Sequence, residues 1–185
     1  MDDRQLVKDC LKGNAAAQRK LYDTYASPML AVCYRYTKSV ADAEDVLQEA
    51  FIKVFRSLQQ YKGDGELGAW IRRIMVTTAI NYLKKNSRYN AELVFGEEHL
   101  HAVPAYNPQI TLAAKELADL IRQLPSGYQT IFNLYAVEGY THVEIGKILG
   151  VQEGTSRSQY ARARALLIQW IEQKNGEFKT TAYAR

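Results

Sequence analysis

Residues 141–164 read THVEIGKILGVQEGTSRSQYARAR, and their pattern indicates the fold of the C-terminal half of the chain. Thr141 followed by Glu144 has the spacing of a capping box, which predicts a short helix that opens there and stops at Gly150. A last helix is expected to begin near Gln152. Two helices joined by a tight turn that contains glycine form a helix-turn-helix.

The second helix of this pair opens with small polar residues and continues with several arginines. Small residues let a helix approach DNA closely, and exposed arginines contact phosphates and base edges from the major groove. The side chains placed to do this are Thr155, Arg157, Ser158, Arg162 and Arg164. The alternative is a solvated helix face on which arginines serve solubility.

Apolar residues recur at spacings of three and four along most of the chain, which predicts an all-α protein. Near the N-terminus the pattern from Asp3 to Ala26 is interrupted at Gly13-Asn14, which predicts two short helices. A further helix is expected to begin at Ser27-Pro28, with Ser27 as N-cap. Ser39 with Asp42 resembles a capping box that opens a helix to about Leu58. Further helices are predicted from about Ala69 to Lys85 and from Gln152 to Gln173, and Pro125 is expected in the first turn of another.

The sequence between the two halves lacks a helical period and contains Pro104 and Pro108. An aperiodic stretch of about twenty residues is unusually long for a loop within one domain, so it predicts a linker between two small helical domains. The predicted bounds are 1–88 for the first domain, 89–108 for the linker, 109–175 for the second domain and 176–185 for a C-terminal tail.

A glycine-rich break precedes a cluster of cations in the first half. The break spans Tyr61 to Glu66, and Trp70 follows it. The cations are Lys62, Arg72, Arg73, Lys84, Lys85 and Arg88. Aromatic rings beside positive charge suit single-stranded nucleic acid, because bases stack on rings while the backbone meets cations. Equally, Trp70 and its apolar neighbours at helical spacing are compatible with an ordinary core.

The predicted helix after Ser39 carries an acidic side opposite its apolar side. Its polar residues are Asp42, Glu44, Asp45, Gln48 and Glu49. Such a side is usually only solvated, so residue types alone assign it no partner.

Composition and motifs favour no enzyme, metal or cofactor. Cys10 and Cys33 are too few for a disulfide framework or a zinc site and fit as small core residues. His99 and His101 fall in the predicted linker, and His142 is expected at the surface in a first helical turn. The 185 residues carry a net charge of +4, a mild basic excess that suits a polyanionic partner. No apolar stretch approaches a membrane span or a signal peptide, which predicts a cytoplasmic protein.

Three separated motifs together resemble a known family. They are Asp42 to Phe51, Ala69-Trp70-Ile71, and Gly154 to Ser158 with the arginines that follow. In this order around one linker, they resemble the extracytoplasmic-function (ECF) group of bacterial sigma factors. The resemblance spans Asp9 to Ile171. It implies a first domain of the sigma domain 2 type and a second of the sigma domain 4 type. It also implies three partners: core RNA polymerase through its clamp and flap regions, promoter DNA, and an anti-sigma factor.

The resemblance also implies roles for single residues. The helix Asp42 to Arg56 would dock on the clamp of the polymerase largest subunit, and Glu92, Glu97 and Glu98 in the linker would mimic RNA charge. The residues implied for the melted minus-ten element are Tyr61, Lys62, Gly63, Asp64, Gly65, Glu66, Leu67, Trp70, Arg73, Thr77 and Asn81. The implied minus-thirty-five readers are Arg157, Ser158 and Arg162. Thr77, Gln159 and Ala161 depart from common family residues, so base preferences do not transfer.

Two other functions compete with this interpretation. A stand-alone helix-turn-helix regulator would bind operator DNA without polymerase, but it explains only the C-terminal motif. A single-strand-binding module would explain Tyr61 to Arg88 and leave the acidic helix without a role. Only the sigma-factor interpretation predicts that core polymerase co-purifies with the chain.

Overall fold

The computed structural model describes the backbone of residues 3–89 and 112–182, and side chains over 3–86 and 116–173. Within these ranges the protein is α-helical without strands, which confirms the predicted all-α class of two helical domains. The chain divides into two compact units, residues 1–89 and 90–185. The predicted linker from residue 90 onward lies outside the described residues, and the finer domain bounds stay a prediction.

The first unit contains four helices that pack around one apolar core. They are α1 (Asp3–Leu11), α2 (Ala15–Tyr34), α3 (Val40–Ser57, followed by a 3-10 turn, Leu58–Gln60) and α4 (Leu67–Tyr89). Fully buried side chains come from three of these helices and the turn: Leu21, Val46, Val54, Leu58, Leu67, Ile71 and Met75. Cys10 and Cys33 are buried too, as predicted. Burial raises the pKa of the Cys33 thiol to about 12, so this cysteine stays neutral and unreactive.

The expected break at Ser27-Pro28 is wrong, because α2 continues through Pro28. A proline inside a helix removes one backbone hydrogen bond and costs about 3 kcal/mol. Leu21, Met29 and Cys33 form a buried stripe that spans the proline, and their packing outweighs this cost. The N-cap of α2 is Asn14, whose side-chain oxygen accepts from the N–H groups of Ala16 and Ala17 at 3.0 and 3.1 Å.

Ser39 caps α3 as predicted, and its hydroxyl accepts from the Asp42 N–H at 3.0 Å. The carboxylate of Asp42 instead accepts from the Tyr82 hydroxyl of α4 at 2.6 Å. Helix α4 begins two residues before the predicted start because Leu67 is fully buried and anchors its first turn.

The described part of the second unit also contains four helices. They are α5 (Leu112–Gln123), α6 (Ser126–Phe132, continued by a π-helical turn, Asn133–Val137), α7 (His142–Leu149) and α8 (Glu153–Ala182). One cluster joins Leu120 of α5 and Leu124, which directly follows α5, to Ala163 and Leu167 of α8. Pro125 occupies the N-cap of α6, one residue before its predicted first turn. The backbone of α8 runs past the predicted end at Gln173 to Ala182.

The capping box of α7 forms as predicted. The Thr141 hydroxyl accepts from the Glu144 N–H at 3.3 Å, and the Glu144 carboxylate accepts from the Thr141 N–H at 2.8 Å. Gly150 ends the helix in the left-handed region with φ 76°, which glycine adopts without strain. Among the described residues, every helix is too short or too polar to cross a membrane.

Candidate nucleic-acid and protein-binding surfaces

Gly146 sets the close packing of α7 on the start of α8. A Cβ atom placed there would lie 2.7 Å from the carbonyl oxygen of Val151, closer than real side chains approach backbone. The carbonyl of Gly146 accepts from the N–H groups of Gly150 and Val151 at 2.8 and 3.0 Å. The turn between the two helices is therefore fixed by backbone contacts.

The predicted DNA-contacting residues of α8 lie on its outer side. Arg157, Ser158, Arg162 and Arg164 are exposed and Thr155 is half-buried, whereas Ser156 and Ala163 face inward. At 100° per residue, Arg157 and Arg164 form one flank of this side, while Thr155, Ser158 and Arg162 form the other. The small exposed residues Gly154, Ala161 and Ala165 lie between the flanks. We call this set the α8 outer surface.

Arg157 is held by an acidic residue one turn earlier in α8. Its Nε donates to Oε1 of Glu153 at 2.9 Å, and its Nη2 donates to the same oxygen. The side chains of Arg157 and Glu153 are 65% and 41% exposed, so the pair is accessible to solvent.

The prediction that His142 lies at the surface is wrong. The residue is only 8% exposed, and its Nδ1 lies 2.9 Å from the hydroxyl of Ser156. Its ring stacks on Tyr135 with centroids 4.3 Å apart, and Tyr160 lies 5.8 Å away. First-turn positions usually face solvent, but here the π-helical turn carries Tyr135 over the ring. The contact thus depends on distant residues that local spacing does not reveal.

The stability of the second unit is expected to depend on the protonation of His142. Burial lowers the pKa of His142 from 6.5, the positive charge of Arg157 lowers it further, and Glu153 opposes the shift. A lowered pKa in the fold means that stability is present above pH 6.5 and is lost as the pH falls below it. We therefore expect a lower melting temperature at about pH 5.5 than at about pH 7.5. His142→Gln, which does not titrate, should lose this difference, and an unchanged difference would contradict the prediction.

The loop 61–66 is confirmed as a break between helices, and it contacts more of the first unit than its sequence indicates. The rings of Tyr61 and Trp70 lie 5.7 Å apart, and the Tyr61 hydroxyl donates to the carbonyl of Gly65. Gly63 has φ 76°, and the guanidinium of Arg4 donates to its carbonyl at 3.4 Å. Sequence reasoning missed Arg4, because α1 is distant along the chain.

The residues of the loop differ in accessibility. Lys62, Asp64, Gly65 and Glu66 are exposed, whereas Leu67 is fully buried. The side chain of Leu67 therefore belongs to the core and is not displayed to a ligand.

Helix α4 continues the loop with one exposed stripe. Arg73, Thr77 and Asn81 recur every four residues, and half-buried Trp70 lies at the loop end of the same side. The hydroxyl of Thr77 donates to the Arg73 carbonyl at 2.8 Å. The structure thus aligns Trp70, Arg73, Thr77 and Asn81 on one side of α4, and the ring of Tyr61 lies against Trp70.

The acidic side of α3 is exposed and has an apolar centre. Glu44, Asp45, Gln48 and Glu49 face solvent, opposite the buried Ala43, Val46, Leu47 and Ala50. Asp42 lies at the edge, bound by Tyr82, and Lys53 donates to Glu49 at 2.6 Å. Ile52 falls in the middle of this side and is 52% exposed. We call these residues the α3 acidic surface. Sequence reasoning missed Ile52, although helical spacing alone places it on this side.

Two family models match the chain, one in each unit. Sigma-70 region 2 matches residues 21–89, and Sigma-70, region 4 matches residues 114–167. The chain is 30% identical over 178 residues to the ECF RNA polymerase sigma-E factor of Haemophilus influenzae, covering 90% of this chain and 94% of that protein. It is 32% identical to the ECF RNA polymerase sigma-E factor of Escherichia coli K12, over 89% of this chain and 91% of that one.

A solved structure shares the fold. It is the sigma factor RpoE of Bartonella quintana in complex with the anti-sigma factor NepR. It aligns with a TM-score of 0.53 at 18% identity, covering 83% of this chain and 96% of that one.

Proposed function

The chain belongs to the ECF group of RNA polymerase sigma factors, and we propose that its exposed surfaces direct core polymerase to promoters. The matches to both sigma-70 regions, with relatives aligned along about nine-tenths of the chain, carry this assignment. A stand-alone regulator would account for the second match alone. The family consists of non-catalytic initiation factors, and the proposed place of action is the cytoplasm, where the polymerase works.

The α3 acidic surface is proposed to dock on a basic surface of core polymerase. Its exposed carboxylates provide the charge complementarity that speeds association and fixes orientation. Exposed Ile52 gives the surface an apolar centre within a polar rim, which is the usual anatomy of a protein interface. This combination favours a docking role over a merely solvated helix side.

The loop 61–66 and the stripe on α4 are proposed to hold the melted minus-ten strand. Half-buried Tyr61 and Trp70 offer rings near positive charge, and Asp64 and Glu66 offer acceptors for the exocyclic amines of cytosine or adenine. The positive φ of Gly63 lets the main chain approach a base closely. Arg73, Thr77 and Asn81 would line the upstream edge of the same strand. The buried side chain of Leu67 takes no part in this proposal.

The α8 outer surface is proposed to read the minus-thirty-five duplex. Its small central residues allow close approach to the groove, and its flanks supply Arg157 on one side and Ser158 with Arg162 on the other. An anti-sigma factor is a further proposed partner, supported by the fold shared with RpoE of Bartonella quintana, which was solved bound to one.

Transcription from a promoter library tests the whole proposal. Core polymerase with this chain should yield run-off transcripts from a defined subset of sequences, while core or chain alone should not. A pull-down should retain core polymerase on the chain. Equal transcription by core alone, or tight operator binding by the isolated chain without any polymerase retention, would contradict the assignment.

Arg157→Ala is expected to weaken binding to a cognate minus-thirty-five site by about 1–3 kcal/mol and to relax the preference at one base. Arg164→Ala is the matched comparison, because Arg164 lies two turns further along the same flank and is proposed to contact phosphate. Its loss should weaken all sequences alike and reduce the salt slope by about one. Affinity measurements over single-base variants and salt concentrations check both. A uniform loss for Arg157→Ala would reassign Arg157 to phosphate.

A further inference from the structure

The ion pair between Glu153 and Arg157 occupies one edge of the guanidinium and leaves another edge for a second acceptor. Nε and Nη2 donate to one oxygen of Glu153, which uses one edge of the planar fork. Guanidinium carries five N–H donors in a rigid arrangement, so the end formed by Nη1 and the outer N–H of Nη2 points away from the carboxylate. Two parallel donors therefore remain for an acceptor pair on another molecule.

Such a donor pair matches the edge of one base in the major groove. Guanine presents O6 and N7 as adjacent acceptors, and a bidentate arginine is the commonest specific contact to them. An unsupported arginine samples many rotamers and also binds phosphate. A carboxylate one helical turn away favours one orientation of the guanidinium.

The position of Glu153 suits this support. It is the first residue of α8, where the helix dipole stabilises a carboxylate. An exposed ion pair contributes little in water, but its attraction strengthens when DNA displaces solvent from the groove.

We propose that Glu153 is a positioning residue that orients Arg157 for a guanine in the minus-thirty-five element. This inference rests on the proposed role of the α8 outer surface as the reader of that element. The rival explanation is competition, in which Glu153 withholds Arg157 from DNA and repels phosphates. The two explanations predict different changes in base preference.

The test compares five holoenzymes on promoters that differ by one base at each minus-thirty-five position. They carry the wild-type chain, the single variants Glu153→Gln, Glu153→Asp and Arg157→Ala, and the double variant that combines Glu153→Gln with Arg157→Ala. Arg157→Ala identifies the base that Arg157 reads. Glu153→Gln should reduce the preference for guanine at that base by about fivefold and leave the other positions unchanged. Glu153→Asp should retain part of the preference. The double variant should show no further loss beyond Arg157→Ala, and thermal melting should show that all variants fold.

Other outcomes distinguish failure of the positioning role of Glu153 from failure of base reading by Arg157. A uniform gain in affinity for Glu153→Gln with the guanine preference intact would establish competition and overturn the positioning role. Additive losses in the double variant would also overturn it. If Arg157→Ala leaves every base preference unchanged, base reading by Arg157 itself fails, and the role of Glu153 fails with it.

Discussion

Replacing Gly146 with alanine is expected to destabilise the second unit by about 3 kcal/mol and to abolish minus-thirty-five recognition. The added Cβ would meet the carbonyl oxygen of Val151 at 2.7 Å, with backbone atoms of Gln152 and Glu153 also within 4 Å. These are main-chain atoms of the turn into α8, so no side-chain rotation relieves the clash. The start of α8 must shift, and the α8 outer surface shifts with it.

Thermal melting and promoter binding measure this effect, and Gly154→Ala is the control for stability. Gly154 is also a helical glycine, but a Cβ atom there meets nothing within 4 Å. Alanine at an open helical site is expected to leave stability unchanged or to raise it by up to about 1 kcal/mol. Binding of the Gly146→Ala chain to core polymerase through the first unit should persist. Equal melting temperatures for the two variants would show that the turn accommodates the methyl group.

The features that sequence reasoning predicted correctly are those built from local hydrogen bonds. The Thr141 capping box, the Ser39 N-cap and the left-handed Gly150 each involve atoms within a few residues of one another. Local geometry is sufficient to specify them, which is why residue type and spacing located both ends of α7 and the start of α3.

The features that it missed depend on packing between different elements of the fold. Pro28 lies inside α2 because packing of the buried stripe overrides a local breaking signal. His142 is buried because Tyr135 and Ser156 arrive from other elements. The bond from Arg4 to Gly63 joins α1 to a loop 59 residues away. Periodicity carries no information about such contacts.

Sequence reasoning located some features of the candidate surfaces and missed others. Spacing located the polar side of α3 and the arginines of α8, because each lies on a single helix. It did not show that Leu67 is buried in the core, since that depends on how α4 packs. Ile52 was missed as well, although the spacing along α3 alone places it among the acidic residues. Spacing also left open which partner meets an acidic helix, and core polymerase is the partner proposed for it.

Asp45→Lys combined with Glu49→Lys is expected to lower the affinity for core polymerase by about 100-fold or more. Each substitution replaces a negative charge by a positive one on the α3 acidic surface, and placing like charges across an interface costs several kcal/mol. Both residues are exposed, so the core of the first unit is untouched. The change at Glu49 also replaces its ion pair with Lys53 by a like-charge pair, which costs only about 0.2–0.5 kcal/mol of stability.

The matched control is Asp9→Lys with Asp23→Lys, which changes the net charge of the chain by the same amount on α1 and α2. Asp9 accepts from Gln5, and Asp23 pairs with Arg19 in an exposed contact, so little stability depends on either residue. Titration of labelled chain with core polymerase should separate the two variants. If both double variants bind core polymerase equally weakly, the polymerase responds only to the overall charge of the chain. If the α3 variant binds as tightly as wild type, the acidic side of α3 is only solvated and does not dock. A selective loss that becomes smaller at high salt and is deepened by Ile52→Ala would place the apolar centre and its acidic rim in one docking surface.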